Sequence, residues 1–173
     1  MEIGAAALGD VFAFCSGLYF RGKLAYARRF AEPGDASGGV KIIVPGRGLL
    51  NPETSIGVGD LEEFASVPVD AEVLAFRQPL EEATRELAAA TSGEIVLLGS
   101  IATGKYVDIL LSILGERLWF PTEFVGRGDM SRGALMLRCA ASGEELAYQP
   151  VIGAIRVGRR APRISPQVVP RVE

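Results

Sequence analysis

The sequence predicts a single three-layer α/β domain with a mostly parallel, Rossmann-like sheet of about four to five strands and helices on both faces. Three observations lead there. Short apolar runs, Val11–Cys15, Ile95–Leu98 and, interrupted by Lys41, Val40–Val44, have the length of strands buried on both faces. Segments of helical period alternate with them. The runs end in loops rich in glycine or serine, as strand-to-helix turns in parallel sheets do.

Taken in order, Val11–Cys15 reads as the first strand, ended by Ser16-Gly17. Leu18 to Lys23 then leads into an amphipathic helix ending near Ala31, with Phe20, Leu24, Ala27 and Ala31 inward and Arg21, Arg28 and Arg29 outward. The Pro33–Gly39 cluster closes that unit. Val40–Val44 is the second strand, followed by the turn Pro45-Gly46-Arg47-Gly48. Asp60 can cap a short helix, Leu61–Ser66, and Gln78-Pro79 opens another whose inner face is Leu80, Ala83, Leu87 and Ala88. Arg117–Phe120 is a short strand stopped by Pro121, and Asp129 can cap a helix running through Leu137. Leu146–Ile155 reads as an edge strand. Residues 1–155 form the domain, and 156–173 a Pro/Arg-rich tail.

The clearest unit is Glu94–Leu114: strand, tight loop, helix. Its loop spells Gly99-x-x-x-x-Gly104-Lys105, most of a phosphate-binding loop. The next residue is Tyr106, where a nucleoside triphosphatase needs a magnesium-binding Ser or Thr, and no apolar strand ends in a second carboxylate. The triphosphatase reading is therefore disfavoured. Backbone amides at a helix N-terminus beside Ser100, Thr103 and Lys105 still suit an anion; alternatively, the two glycines only permit a tight turn.

Composition narrows the chemistry further. The 173 residues include no histidine, which removes the commonest general base and zinc ligand, so no metal or cofactor is expected. Two distant cysteines, Cys15 and Cys139, read as reduced thiols; Cys15 is a nucleophile only if Arg21 or Lys23 lowers its pKa. Five arginines and one acid give 156–173 a charge of +4, so the preceding body carries −7 of the net −3. Such a tail, with the basic helix, can contact nucleic acid or fold against its own acidic domain. No run approaches the roughly 18 apolar residues of a membrane helix, and Met1–Gly4 lacks a basic leader. A cytoplasmic protein with no membrane partner is expected, with homo-oligomers an option.

Strand C-termini in a parallel sheet share one edge, which gathers the candidate ligand-binding residues Ser16, Tyr19, Arg47, Gly99, Ser100, Thr103, Gly104, Lys105, Arg127 and Arg132. Asp129 and Glu123 are the candidate catalytic acid/base groups, Asp129 having a helix cap as its plainer role.

Leu18-Tyr19 with its basic helix, the strand Ile42–Val44, and Gly48-Leu49-Leu50-Asn51-Pro52-Glu53-Thr54 together resemble an uncharacterised family of small bacterial and phage domains. Pro121-Thr122-Glu123 and Gly126-Arg127-Gly128 resemble that family's later segments, so the likeness spans most of Val11–Leu137. The chain departs from the pattern at Arg47, where an aromatic is usual, and at Val58-Gly59-Asp60. It also lacks a long insert after Ser16. A more distant similarity to peroxide-stress DNA-binding and glycosylase-like proteins implies nucleic-acid or nucleobase chemistry.

The expected function is binding of an anionic nucleotide- or sugar-phosphate-like ligand at the strand C-termini. If the chain is an enzyme, it cleaves or transfers at a phosphorylated or N-glycosidic centre, using carboxylates in place of histidine. The alternative is a non-catalytic nucleic-acid- or partner-binding module working through the basic helix and arginine tail.

Overall fold

The first apolar run is a helix, not a strand. The computed structural model describes residues 5–32 and 39–158. Within it, Leu8–Cys15 forms helix α1, and α2 (Gly17–Phe30) follows after a single residue. Five consecutive apolar residues satisfy either structure, and here the inward positions are Leu8, Val11 and Phe12, at helical spacing. Phe14, on the far side, is 90% exposed. Met1–Gly4, all but the last residue of the Pro33–Gly39 cluster, and the tail beyond Gly158 lie outside the described residues.

The second expected strand is present but pairs locally. Strand β1 (Ala6–Ala7) is antiparallel to β4 (Ser55–Ile56), and β2 (Ile42–Val44) to β3 (Gly48–Leu50), with Val44 opposite Gly48. Gly46 and Gly48 adopt φ of 77° and 73°, so Pro45–Arg47 closes a tight hairpin instead of feeding a crossover helix. Helices α3 (Val58–Ser66) and α4 (Leu74–Ala90) follow. Asp60 lies inside α3, its carboxylate accepting from the Gly57 N–H at 2.8 Å, and Pro79 lies inside α4.

The second half holds β5 (Ile95–Val96), α5 (Gly104–Leu114), β6 (Leu118–Pro121), α6 (Asp129–Ser142) and β7 (Tyr148–Pro150). Strand β5 is parallel to β6, and β7 is antiparallel to it. Among the described residues the sheets are thus two antiparallel pairs and one mixed three-stranded sheet. This corrects the expected single, mostly parallel, Rossmann-like sheet. Two of its intended strands were lost, one to α1 and one to a hairpin. Only β5–α5–β6 keeps the parallel strand–helix–strand form.

Two hydrophobic clusters hold these parts together. The larger joins Phe76 and Leu80 of α4, Val107, Leu110 and Leu114 of α5, Leu118 and Phe120 of β6, and Met136 of α6. The smaller joins Leu8, Ile42, Val44, Ile56 and Phe64. Helix α2 lies between them: Tyr19, Tyr26 and Phe30 pack on the larger, Phe20 on the smaller. Among the described residues no helix is long and apolar enough to cross a membrane.

Candidate functional site

Loops 97–103 and 122–128 leave the C-terminal ends of the parallel strands β5 and β6 and enter α5 and α6. Helix α2 packs across α6 so closely that glycine is required on both. A Cβ on Gly22 would sit 2.6 Å from the Gly133 carbonyl oxygen, and one on Gly133 would sit 2.8 Å from that of Leu18. This crossing brings Tyr19 and Lys23, one turn apart on α2, to Asp129 and Arg132 in the first turn of α6.

Lys23 Nζ lies 4.1 Å from the centroid of the Tyr19 ring. The Tyr19 hydroxyl reaches the Leu98 carbonyl at 3.5 Å, the long limit of a hydrogen bond. Arg132 is buried and donates through Nε and Nη2 to the Phe124 carbonyl at 3.3 and 3.1 Å. Its Nη1 stands 3.5 Å from the exposed Asp129 carboxylate. Among the described residues no carboxylate comes within ion-pair distance of Lys23. Burial holds Lys23 below the ordinary lysine value; the charge of Asp129 opposes that shift and the charge of Arg132 adds to it.

The glycine-rich loop is built differently from a phosphate-binding loop. The Tyr106 hydroxyl donates back to the Ser100 carbonyl at 3.1 Å, and a Cβ on Gly99 would fall 2.6 Å from it. Ser100 Oγ accepts from the Ala102 N–H at 3.3 Å. At the start of α5, the Asp108 carboxylate folds over Gly104 and pairs with Arg156 at 2.8 Å. A carboxylate there disfavours a second anion. Thr103 and Lys105 are exposed, and Thr103 makes no side-chain cap bond.

The structure therefore brings Tyr19, Gly99, Ser100, Asp129 and Arg132 into one neighbourhood. Arg127 is near in sequence, its Nη1 donating to Ser131 Oγ at 3.3 Å. Ser16 is exposed at the start of α2. Arg47 stands elsewhere, on the β2–β3 turn, where it grips Glu63 of α3 through Nε and Nη2 at 2.9 and 2.6 Å. Glu123 accepts from Thr122 Oγ1 at 3.0 Å, and its charge bears on Cys139, about 15 Å along α6 from Asp129. Asp129 thus bears on Tyr19, Lys23 and Arg132, and Glu123 on Thr122 and Cys139.

Sequence reading passed over Lys23 and Tyr106. Lys23 enters there only as a charge that could lower the Cys15 pKa, and Tyr106 only as a poor magnesium ligand. The usable signal was the spacing Tyr19-x-x-Gly22-Lys23, which puts ring, small residue and amine on adjoining parts of one helix surface.

All four tyrosines of the chain are held above the ordinary value of 10.0, with burial the largest cause in each case. Tyr19 reaches about 12. A raised phenol contributes stability that is complete below pH 10 and lost as pH rises through the folded value. The lowered Lys23 works the other way: its penalty is present below its folded value and lifts towards 10.5. Four groups outweigh one. The denaturant midpoint is expected to fall from about pH 10 upward, with tyrosinate absorbance appearing in step with unfolding. Tyrosinate forming in the folded protein with an ordinary midpoint would contradict this.

A groove of about 370 Å³ lies at the other end of the β5–β6 pair, between Ser92–Glu94, Glu116, Arg117, Trp119, Pro150 and Ile152. It contains none of the candidate residues. Among the described residues no group of three His, Cys, Asp or Glu is placed to hold a metal ion. Comparison with known protein families, curated proteins and solved structures finds no match to this chain.

Proposed function

We propose that the chain binds an anionic small molecule of the nucleotide or sugar-phosphate class in the niche between Tyr19 and Lys23 of α2 and Asp129 and Arg132 of α6. The observation that carries this reading is the half-buried Lys23, whose ammonium rests on the Tyr19 ring with no carboxylate among the described residues at ion-pair distance. Two cations, Lys23 and Arg132, face one carboxylate, and Asp129 is directed to Arg132. Partly desolvated charge without a partner is costly, and a bound anion supplies the partner. The Tyr19 hydroxyl, 3.5 Å from the Leu98 carbonyl and paired with the Arg132 side chain, is a second contact for the ligand.

The nucleic-acid reading has less to work with among the described residues. Arg28 of the basic helix is engaged by Glu53 at 3.3 Å and Asp10 at 3.9 Å.

A thermal-shift screen of phosphate, nucleoside monophosphates and sugar phosphates tests the proposal. A ligand at 100 times its Kd should add about 2.7 kcal/mol, or several degrees in melting temperature. Lys23→Met should abolish the shift, and Arg47→Ala, on the β2–β3 turn and paired with Glu63, should leave it intact. A shift that survives Lys23→Met would place the ligand elsewhere.

A further inference from the structure

The same niche carries a second use, which rests on the binding reading above. We propose that Lys23 is a nucleophile that condenses with the carbonyl group of a small phosphorylated aldehyde or ketone, with Tyr19 as the proton donor. A lysine becomes nucleophilic when it is withdrawn from water or set beside another cation. The first condition holds here, Lys23 being half-buried against the Tyr19 ring; the Arg132 charge acts in the same direction, against that of Asp129. The chain has no histidine, and the Tyr19 phenol is the proton-bearing side chain that lies against the amine. The Tyr19 phenol stays protonated well into the alkaline range and so keeps a proton to give.

The step balances without a cofactor or an oxidant. Lys23 first gives up its ammonium proton to solvent; the Nζ lone pair then attacks the carbonyl carbon, and one N–H proton passes to the carbonyl oxygen, giving a carbinolamine. Tyr19 then protonates the hydroxyl, which leaves as water while the C=N bond forms. The remaining N–H proton returns to the phenolate, leaving a neutral imine. Within the proposed ligand class this favours open-chain sugar phosphates, which carry a carbonyl, over nucleotides, which do not.

The sequence makes the test readable, because the chain has three lysines, Lys23, Lys41 and Lys105. Lys41 is held by Asn51 Oδ1 at 2.6 Å and Lys105 is exposed, so each serves as an internal reference. The full-length protein is treated with glycolaldehyde phosphate or with neutral glycolaldehyde in the presence of cyanoborohydride, and adducts are mapped by peptide mass spectrometry. The expected result is a phosphate-dependent adduct on Lys23 at least about tenfold over both references, slowed about tenfold or more in Tyr19→Phe. An adduct on Lys23 no greater than on Lys41 or Lys105 overturns the proposal. If phosphate ligands still stabilise the fold in a Lys23-dependent manner, the binding reading survives that result. If neither effect is seen, both readings fall. Equal labelling by the neutral aldehyde would overturn the phosphorylated substrate class.

Discussion

Replacing Gly22 with alanine is expected to destabilise the protein by about 1–3 kcal/mol, the usual range for overpacking a filled contact. The added methyl would meet the Gly133 carbonyl oxygen at 2.6 Å and its Cα at 2.9 Å. Both are backbone atoms, so no rotamer change relieves the clash. Helices α2 and α6 must move apart along their crossing. For a chain of this size that corresponds to a drop in melting temperature of roughly 2–4 °C per kcal/mol. Ligand binding should fall with it, because the same crossing sets the distance from Tyr19 and Lys23 to Asp129 and Arg132. Gly133→Ala should behave alike, and the double variant should cost less than the sum, since either methyl already separates the helices. Wild-type melting and binding in Gly22→Ala would show that the helices do not meet as described.

Arg132→Met is the second large effect. The methionine keeps much of the apolar stem but removes both guanidinium donors to the Phe124 carbonyl and the cation beside Lys23. Losing these charge-assisted bonds costs about 1.5–3 kcal/mol, although the Arg127 N–H still donates to the same carbonyl at 3.2 Å. Arg132→Lys should recover little, because an ammonium cannot reproduce the two-nitrogen fork. Chemical denaturation of both variants measures the loss, and a near-wild-type Arg132→Lys would argue against the fork. Removing the Arg132 charge also takes away one cause of the lowered Lys23 pKa, so Lys23 should react more slowly with aldehydes in Arg132→Met.

How far the sequence could be read depended on how many structures each pattern allows. Ile95–Leu98, its glycine loop and the helix from Gly104 had length, loop and period pointing the same way, and they stand as β5 and α5. Leu118–Pro121 ended where proline predicts. Val11–Cys15 had only apolarity, which a buried strand and a short helix share, and its partners decided for the helix. Ile42–Val44 was a strand, but its pairing was written in the turn glycines Gly46 and Gly48 and not in its own residues. With those two elements reassigned, one edge no longer gathered every strand end, and Arg47 left with the hairpin. Lys23 was hidden for another reason. A lysine on a basic helix has the composition of a solvated face, and only the Gly22–Gly133 crossing, a long-range packing fact, turns it inward.

Helix α2 offers opposite flanks to the two hydrophobic clusters, Phe20 to the smaller and Tyr26 and Phe30 to the larger, and it carries the lysine between them. It is a party wall. A shifted α6 on one flank, or altered packing around Phe20 on the other, reaches Lys23 through rigid helix backbone, so the amine's reactivity registers the integrity of both neighbourhoods. These meet again along the β2–β3 hairpin, Ile43 and Leu49 facing the larger and Ile42, Val44 and Leu50 the smaller.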